Sequence, residues 1–175
     1  VVVYGPTGFG KATLAERIGE RTGLPVGELD AIFWLSGWRT KPLVQFRADA
    51  ASSLSSHPAG WVCAGNYSNV RDIVLPQADT GVWIRLPFRV ALWQLWRRTL
   101  TRAWGREELW GTTNRESFRR SFFSRESILL YQITSWRRSM IRTRQALQET
   151  SHQAQVVELG SRWEMEKFLG KLRKC

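Results

Sequence analysis

The chain has 175 residues, among them ten Trp and eight Phe, and a formal net charge of +11. That length and that stock of large apolar side chains suit one folded domain with a substantial core and do not argue for a disordered chain. No run of about 18 uncharged apolar residues occurs, so no segment reads as a membrane span, and Cys63 and Cys175 lack the spacing of a disulfide framework or a thiolate metal site.

In chain order, "VVVY" reads as a buried strand and "GKATLAERIGERTG" as a helix closed by Gly23. "LPVGELD" is a short second strand ending at Asp30. An amphipathic helix is predicted from Pro42 to about His57, stopped by "HPAG". "WVCAGNY" is a third strand, and "TGVWIRLP" a fourth that Pro87 ends. A Trp- and Arg-rich helix follows from about Phe88 to Trp104, and "GREELWGTTNRESF" interrupts it. Further helix is predicted from about Arg125 to Glu149, then a fifth strand, "QVVELG", and a closing helix with Ser161 as its N-cap. Short apolar strands separated by helices imply a parallel sheet covered on both faces, with the ligand at the carboxyl ends of the strands. No repeat or linker divides the chain, so residues 1–175 read as one α/β domain. The chain begins at Val1, already inside a strand, which points to a trimmed start. No signal peptide is visible, and the cytoplasm is the expected compartment.

Gly5, Gly10 and Lys11 fit G-x-x-x-x-G-K-[ST], the loop that holds nucleotide phosphates, except that Ala12 stands where Ser or Thr completes the pattern. A loop with small side chains lets backbone N–H groups approach phosphate oxygens, which accounts for Gly5, Gly8 and Gly10 around Phe9. The following helix presents its positive end, and the Lys11 ammonium reaches the outer phosphates. The excess charge is local: residues 85–144 hold fourteen Arg and four Glu. Such a block attracts polyanions, either nucleotide phosphates or nucleic acid. Arg97, Arg98, Arg102 and Arg106 recur at helical spacing, with Arg115, Arg119 and Arg120 beyond the interruption, as expected for a lid that closes over phosphates and excludes water. Trp93, Trp96, Trp104 and Trp110 are expected to pack that layer against the sheet, with base stacking as the other reading of one of them. Cys63 reads as a buried thiol. His57 and His152 lie in polar, turn-like surroundings and take no assigned role.

The stretches "GPTGFGKATLA", "LDAIFW", "WVCAGNYSNVRDIVLPQAD", "VWIRLP", "REELW" and "NRESF", in that order, resemble the small adenylate-kinase-related P-loop proteins often labelled topology modulation proteins or ATPases. The resemblance spans nearly the whole chain. It implies a three-layer fold of the nucleotide and shikimate kinase type, with a five-stranded parallel sheet and a helical lid over about 88–149. ATP and Mg2+ are the implied cofactors, with a small acceptor, and the molecule is expected as a monomer or homodimer without a membrane partner. Adenylate kinases carry "GKGT" where this chain has "GKAT", so Thr13 is expected to support the loop. They end the third strand in an acid where Ala64 stands here. Asp30 becomes the carboxylate for acceptor or magnesium, because a kinase needs one to orient the attacking oxygen; a turn or cap role is the alternative. Asp72 and Asp79 are weaker candidates. Arg71 stands where relatives place an acceptor-binding Arg, with Asn66 and Tyr67 beside it, and a surface ion pair is the competing reading. Gly160, Ser161 and Arg162 follow the fifth strand where related kinases hold adenine. Catalysis is therefore expected from Lys11, Asp30, Arg115 and Arg119, nucleotide binding from residues 5 and 8–13 with Arg162, acceptor binding from Asp30, Asn66, Tyr67 and Arg71, and magnesium binding from Thr13 and Asp30. Two other classes fit the same residues: an ATP-switched nucleic-acid-binding protein, on the Arg and Trp block, and a pseudoenzyme, on Ala12 with Ala64.

Overall fold

The computed structural model describes residues 1–105, 108–115, 128–150 and 154–172. Arg106, Arg119, Arg120, His152 and Cys175 lie outside the described residues. The strands are β1 (Val2–Tyr4), β2 (Val26–Glu28), β3 (Trp34–Leu35), β4 (Arg39–Thr40), β5 (Val62–Ala64), β6 (Thr80–Ile84) and β7 (Gln155–Leu159). The α-helices are α1 (Lys11–Thr22), α2 (Leu29–Phe33), α3 (Leu43–Ser55), α4 (Arg71–Val74), α5 (Phe88–Gly105), α6 (Ile128–Thr150) and α7 (Arg162–Lys171). Five strands form a parallel sheet in the order β2-β5-β1-β6-β7, and β3 pairs with β4 in a separate antiparallel hairpin. Among the described residues, no helix is long and apolar enough to cross a membrane.

Successive strand residues point to opposite faces, so each strand feeds two cores. Val2, Tyr4 and Trp83 pack with Phe46 and Ala50 of α3 and with Ala146 and Leu147 of α6. Val3, Val82 and Ile84 pack on the other face with Leu14, Ala15 and Ile18 of α1 and Leu169 of α7. The resulting three layers place the carboxyl ends of β1, β2 and β5 along one edge, next to the loop that opens α1.

Two expectations change here. The second strand stops at Glu28, and Asp30 falls in the first turn of α2. The chain turns inward at Leu29, which packs so closely on Gly65 that a Cβ there would lie 2.7 Å from the Leu29 Cβ, and an acid in the first turn suits the positive end of a helix. The Trp residues of α5 also face the other way. Its buried residues are Ala91, Leu95 and Thr99, whereas Trp93 is 60% exposed and Trp104 90%. Close approach to a glycine loop selects small and medium side chains for the inner face, and the bulky rings turn outward.

Ser161 caps α7 as expected. Its Oγ accepts from Glu164 N at 3.1 Å, and Glu164 Oε2 accepts from Ser161 N at 3.1 Å and from Gly160 N at 2.5 Å. Substituting Ser161→Ala is expected to cost about 1 kcal/mol of stability, read as a lower midpoint in urea denaturation at unchanged slope.

Candidate functional site

The loop between β1 and α1 is enclosed on three sides. Gly8, at φ +83°, lies under α5, where an added Cβ would meet the Leu95 Cβ at 2.8 Å. Phe9 is buried and packs edge-on against Trp136 of α6, with ring centroids 5.2 Å apart, and Trp136 also meets Phe88 at 5.2 Å. Gly10 caps α1 in left-handed backbone, φ 73°. The Lys11 Nζ donates to the Pro6 carbonyl at 3.1 Å and so lies folded back over its own loop. Burial pushes the Lys11 amine down to about 8; Asp30 and Glu28 oppose that shift, and Arg98 adds to it. Ala12 is half-buried and Thr13 exposed in the first turn of α1.

Across from the loop, Asp30 Oδ1 accepts the Tyr67 hydroxyl at 2.5 Å. Tyr67 is held by rings, with Phe33 at 4.8 Å and Phe46 at 5.2 Å. Burial first, then the Asp30 charge, push the Tyr67 phenol well above its usual range, so it stays a donor at physiological pH. Asn66 is fully engaged: its Nδ2 donates to Ser139 Oγ and Thr143 Oγ1, both at 3.2 Å, and its Oδ1 accepts from Arg71 Nη2 at 3.3 Å. Arg71 is half-buried, and its buried Nε has no hydrogen-bond partner among the described residues. It also lies against Tyr4, whose phenol is raised by burial and lowered in part by that guanidinium. A buried donor without a partner is costly unless something arrives to accept from it.

Other expected residues are exposed at the surface. Arg115 is exposed and its Nη2 donates to Glu108 Oε1 at 2.8 Å. Arg162 is exposed at the start of α7. Asp72 pairs bidentately with Arg47 on the surface, at 2.8 and 2.6 Å, and Asp79 is exposed. Within the arginine block, Arg98 acts on Lys11 and Arg102 on Glu28, while Arg97 points to solvent. Cys63 is buried, its thiol pushed up to about 12 by desolvation.

Glu28 was not among the expected site residues. It ends β2 in register with Ala64 of β5, and its Oε2 accepts from Trp110 Nε1 at 3.1 Å. Burial, then Asp30, raise its carboxyl above the usual range. A carboxylate missing at Ala64 therefore has a neighbour at the same level one strand away. Among the described residues, no three His, Cys, Asp or Glu side chains cluster to hold a metal by themselves. A magnesium ion carried in by nucleotide phosphates needs only one or two protein carboxylates, and Asp30 is the carboxylate whose charge acts most strongly on Lys11.

No protein-family model matches the chain, and no curated protein matches it. Solved structures do. A gluconokinase from Sinorhizobium meliloti 1021 is 17% identical, covering 97% of this chain and 90% of that one, with a TM-score of 0.53. A shikimate kinase from Acinetobacter baumannii in complex with shikimate is 16% identical over 97% and 88%, with a TM-score of 0.59. A shikimate kinase from Bacteroides thetaiotaomicron is 14% identical over 97% and 93%, with a TM-score of 0.52. At these identities the likeness concerns architecture, and with the observed strand order it gives the chain a P-loop kinase α/β fold.

Proposed function

We propose that the protein is an ATP-dependent phosphotransferase that moves the γ-phosphoryl group of ATP to a small, nucleotide- or nucleoside-like acceptor. The observation that carries this reading is the facing pair on one sheet edge: a glycine loop with Lys11 at the opening of α1, and Asp30 held by Tyr67 across from it. Phosphoryl transfer is mostly positioning and charge. Lys11 leaves the Pro6 carbonyl to meet the outer phosphates, and Arg98 adds positive charge beside it. Arg71, whose Nε has no hydrogen-bond partner among the described residues, takes an anionic group of the acceptor. The acceptor hydroxyl attacks phosphorus as the bond to the β-phosphate oxygen breaks. Its proton passes to Asp30, and ADP leaves. Magnesium would be held by Asp30, with Thr13 in support, and would neutralise charge on the phosphates. The expected lid over about 88–149, of which α5 and α6 are the described helices, excludes water from the loop.

Asp30→Asn tests the acceptor side. The amide oxygen still accepts from Tyr67, so geometry is kept while charge and basicity go. Transfer is expected to fall about 10²–10⁴-fold with affinity for magnesium-free ADP nearly unchanged, measured by coupled ADP release and calorimetry. The acceptor is sought by ADP release from Mg-ATP with nucleoside mono- and diphosphates, nucleosides, gluconate, shikimate and duplex DNA. Stimulation by none of the small molecules would overturn the kinase reading.

One observation favours a second reading. Trp93 and Trp96 stack on each other at 5.0 Å and lie exposed between Arg89 and Arg97, as an aromatic and cationic nucleic-acid surface would. It requires binding that weakens steeply with salt and responds to ATP. Binding indifferent to ATP would reduce it to an incidental basic patch.

A further inference from the structure

The segment 108–115 and the hairpin β3–β4 are joined into one unit. The segment turns back on itself: Leu109 N donates to Asn114 O and Thr112 N to Leu109 O, both at 2.9 Å. Asn114, 1% exposed, pins it to the hairpin. Its Nδ2 donates to the Leu35 carbonyl at 2.9 Å and its Oδ1 accepts from Trp38 N at 2.8 Å. Rings continue the contact, with Trp110 edge-on to Trp38 at 6.1 Å, Trp38 to Trp34 at 5.6 Å, and Trp34 to Phe33 at 5.2 Å. Phe33 in turn lies on Tyr67, the donor to Asp30. The unit therefore forms an aromatic wall beside Asp30.

What ties this wall to the sheet is less obvious from its own contacts. Trp110 holds a left-handed backbone, φ 55°, which a bulky side chain adopts only where its surroundings enforce it. Its indole N–H donates to Glu28 Oε2 at 3.1 Å. Glu28 ends β2 and is two residues from Asp30, on the edge that carries Lys11. We propose that Glu28 is a positioning residue: through Trp110 it latches the wall formed by 108–115 and β3–β4 against the phosphate-binding edge of the sheet, setting the acceptor side of the site. The acceptor role rests on the kinase reading above, whereas the latch itself does not.

Three variants test it: Glu28→Ala, Glu28→Gln and Trp110→Phe, in the full chain. In Glu28→Ala and Trp110→Phe, amide exchange over residues 34–40 and 108–115 is expected to speed about tenfold, the scale of one hydrogen bond. Glu28→Gln, whose amide oxygen still accepts the indole N–H, is expected to keep the protection. In parallel, kcat for Mg-ATP turnover should fall in the Ala and Phe variants and recover in the Gln variant, with KM for ATP constant within about twofold. If Glu28→Ala fails to fold, Trp110→Phe breaks the same bond from the other side. Unchanged exchange in Trp110→Phe and any folded Glu28→Ala, or a Gln variant that behaves like Ala, overturns the latch. Faster exchange with unchanged kcat would leave a purely structural contact and overturn the positioning role. Absence of any turnover in the unsubstituted protein would count against the kinase reading, while the exchange comparison would still decide the latch.

Discussion

Replacing Lys11 by Ala is expected to lower Mg-ATP turnover about 10²–10³-fold, the scale of losing one preorganised charge contact to the transition state, and to leave the fold standing. The side chain belongs to neither of the two apolar cores, and its ammonium is held in a site that disfavours charge. The same burial gives the residue a pH signature. In the folded protein the amine loses its proton near pH 8, whereas an ordinary lysine keeps it to 10.5. Between those values the unfolded chain binds more protons than the native one, so this residue makes stability rise with pH across that window. Below about pH 8 both states carry the proton and the burial penalty is felt in full. The unfolding free energy of the natural chain should therefore gain on that of Lys11→Ala between pH 8 and 10.5, as followed by denaturant melts. Nucleotide binding should move the opposite way. Bound phosphate keeps the amine charged, so ADP affinity falls as pH climbs past 8, by at most about tenfold per unit. Lys11→Ala should show neither effect. A variant that turns over ATP normally would remove the phosphate loop from the reaction.

Gly8→Ala is expected to destabilise the protein by about 2–4 kcal/mol, combining left-handed strain with overpacking, and to abolish nucleotide binding. Its φ is +83°, and the new Cβ would sit 2.8 Å from the Leu95 Cβ and 3.0 Å from the Ala91 carbonyl oxygen. Neither neighbour is the far end of a flexible chain. Leu95→Ala would not relieve the clash, because the atom in the way is the β-carbon that alanine keeps. Gly23→Ala is the internal control. Its φ is +80° and nothing lies within 4 Å of the added atom, so only backbone strain, about 1 kcal/mol, is expected. Equal losses in the two variants, compared by urea denaturation, would show that α5 does not press on the loop as described.

The parallel strands and the long helices were legible because buried strands are short apolar runs between glycine or proline punctuation, and helices carry caps such as Gly23 and Ser161. The hairpin β3–β4 was not. Two strands of two residues each, Trp34–Leu35 and Arg39–Thr40, are too short for alternation to register. The orientation of α5 was misread because hydrophobicity points at its Trp residues, while the face that meets the loop is selected for closeness and holds Ala91, Leu95 and Thr99. At the site, the glycine loop and Lys11 could be read from spacing alone. Glu28 could not, since an acid in a three-residue strand has no periodic signature, and its partner Trp110 is 82 residues away. The place of Arg98 and Arg102 beside Lys11 and Glu28 likewise depends on how α5 is rotated, which composition does not encode.

The cap of α7 ties two parts of the chain together. In the loop after β7 the N–H groups of Gly160 and Ser161 are already bonded to the carboxylate of Glu164. Donors committed in this way are closed to any further acceptor unless the capping box is given up. A substitution at Glu164 therefore frees two backbone donors at the end of β7 and loosens the start of α7 in the same step, so the exposed chemistry of that loop and the stability of α7 are bound to change together.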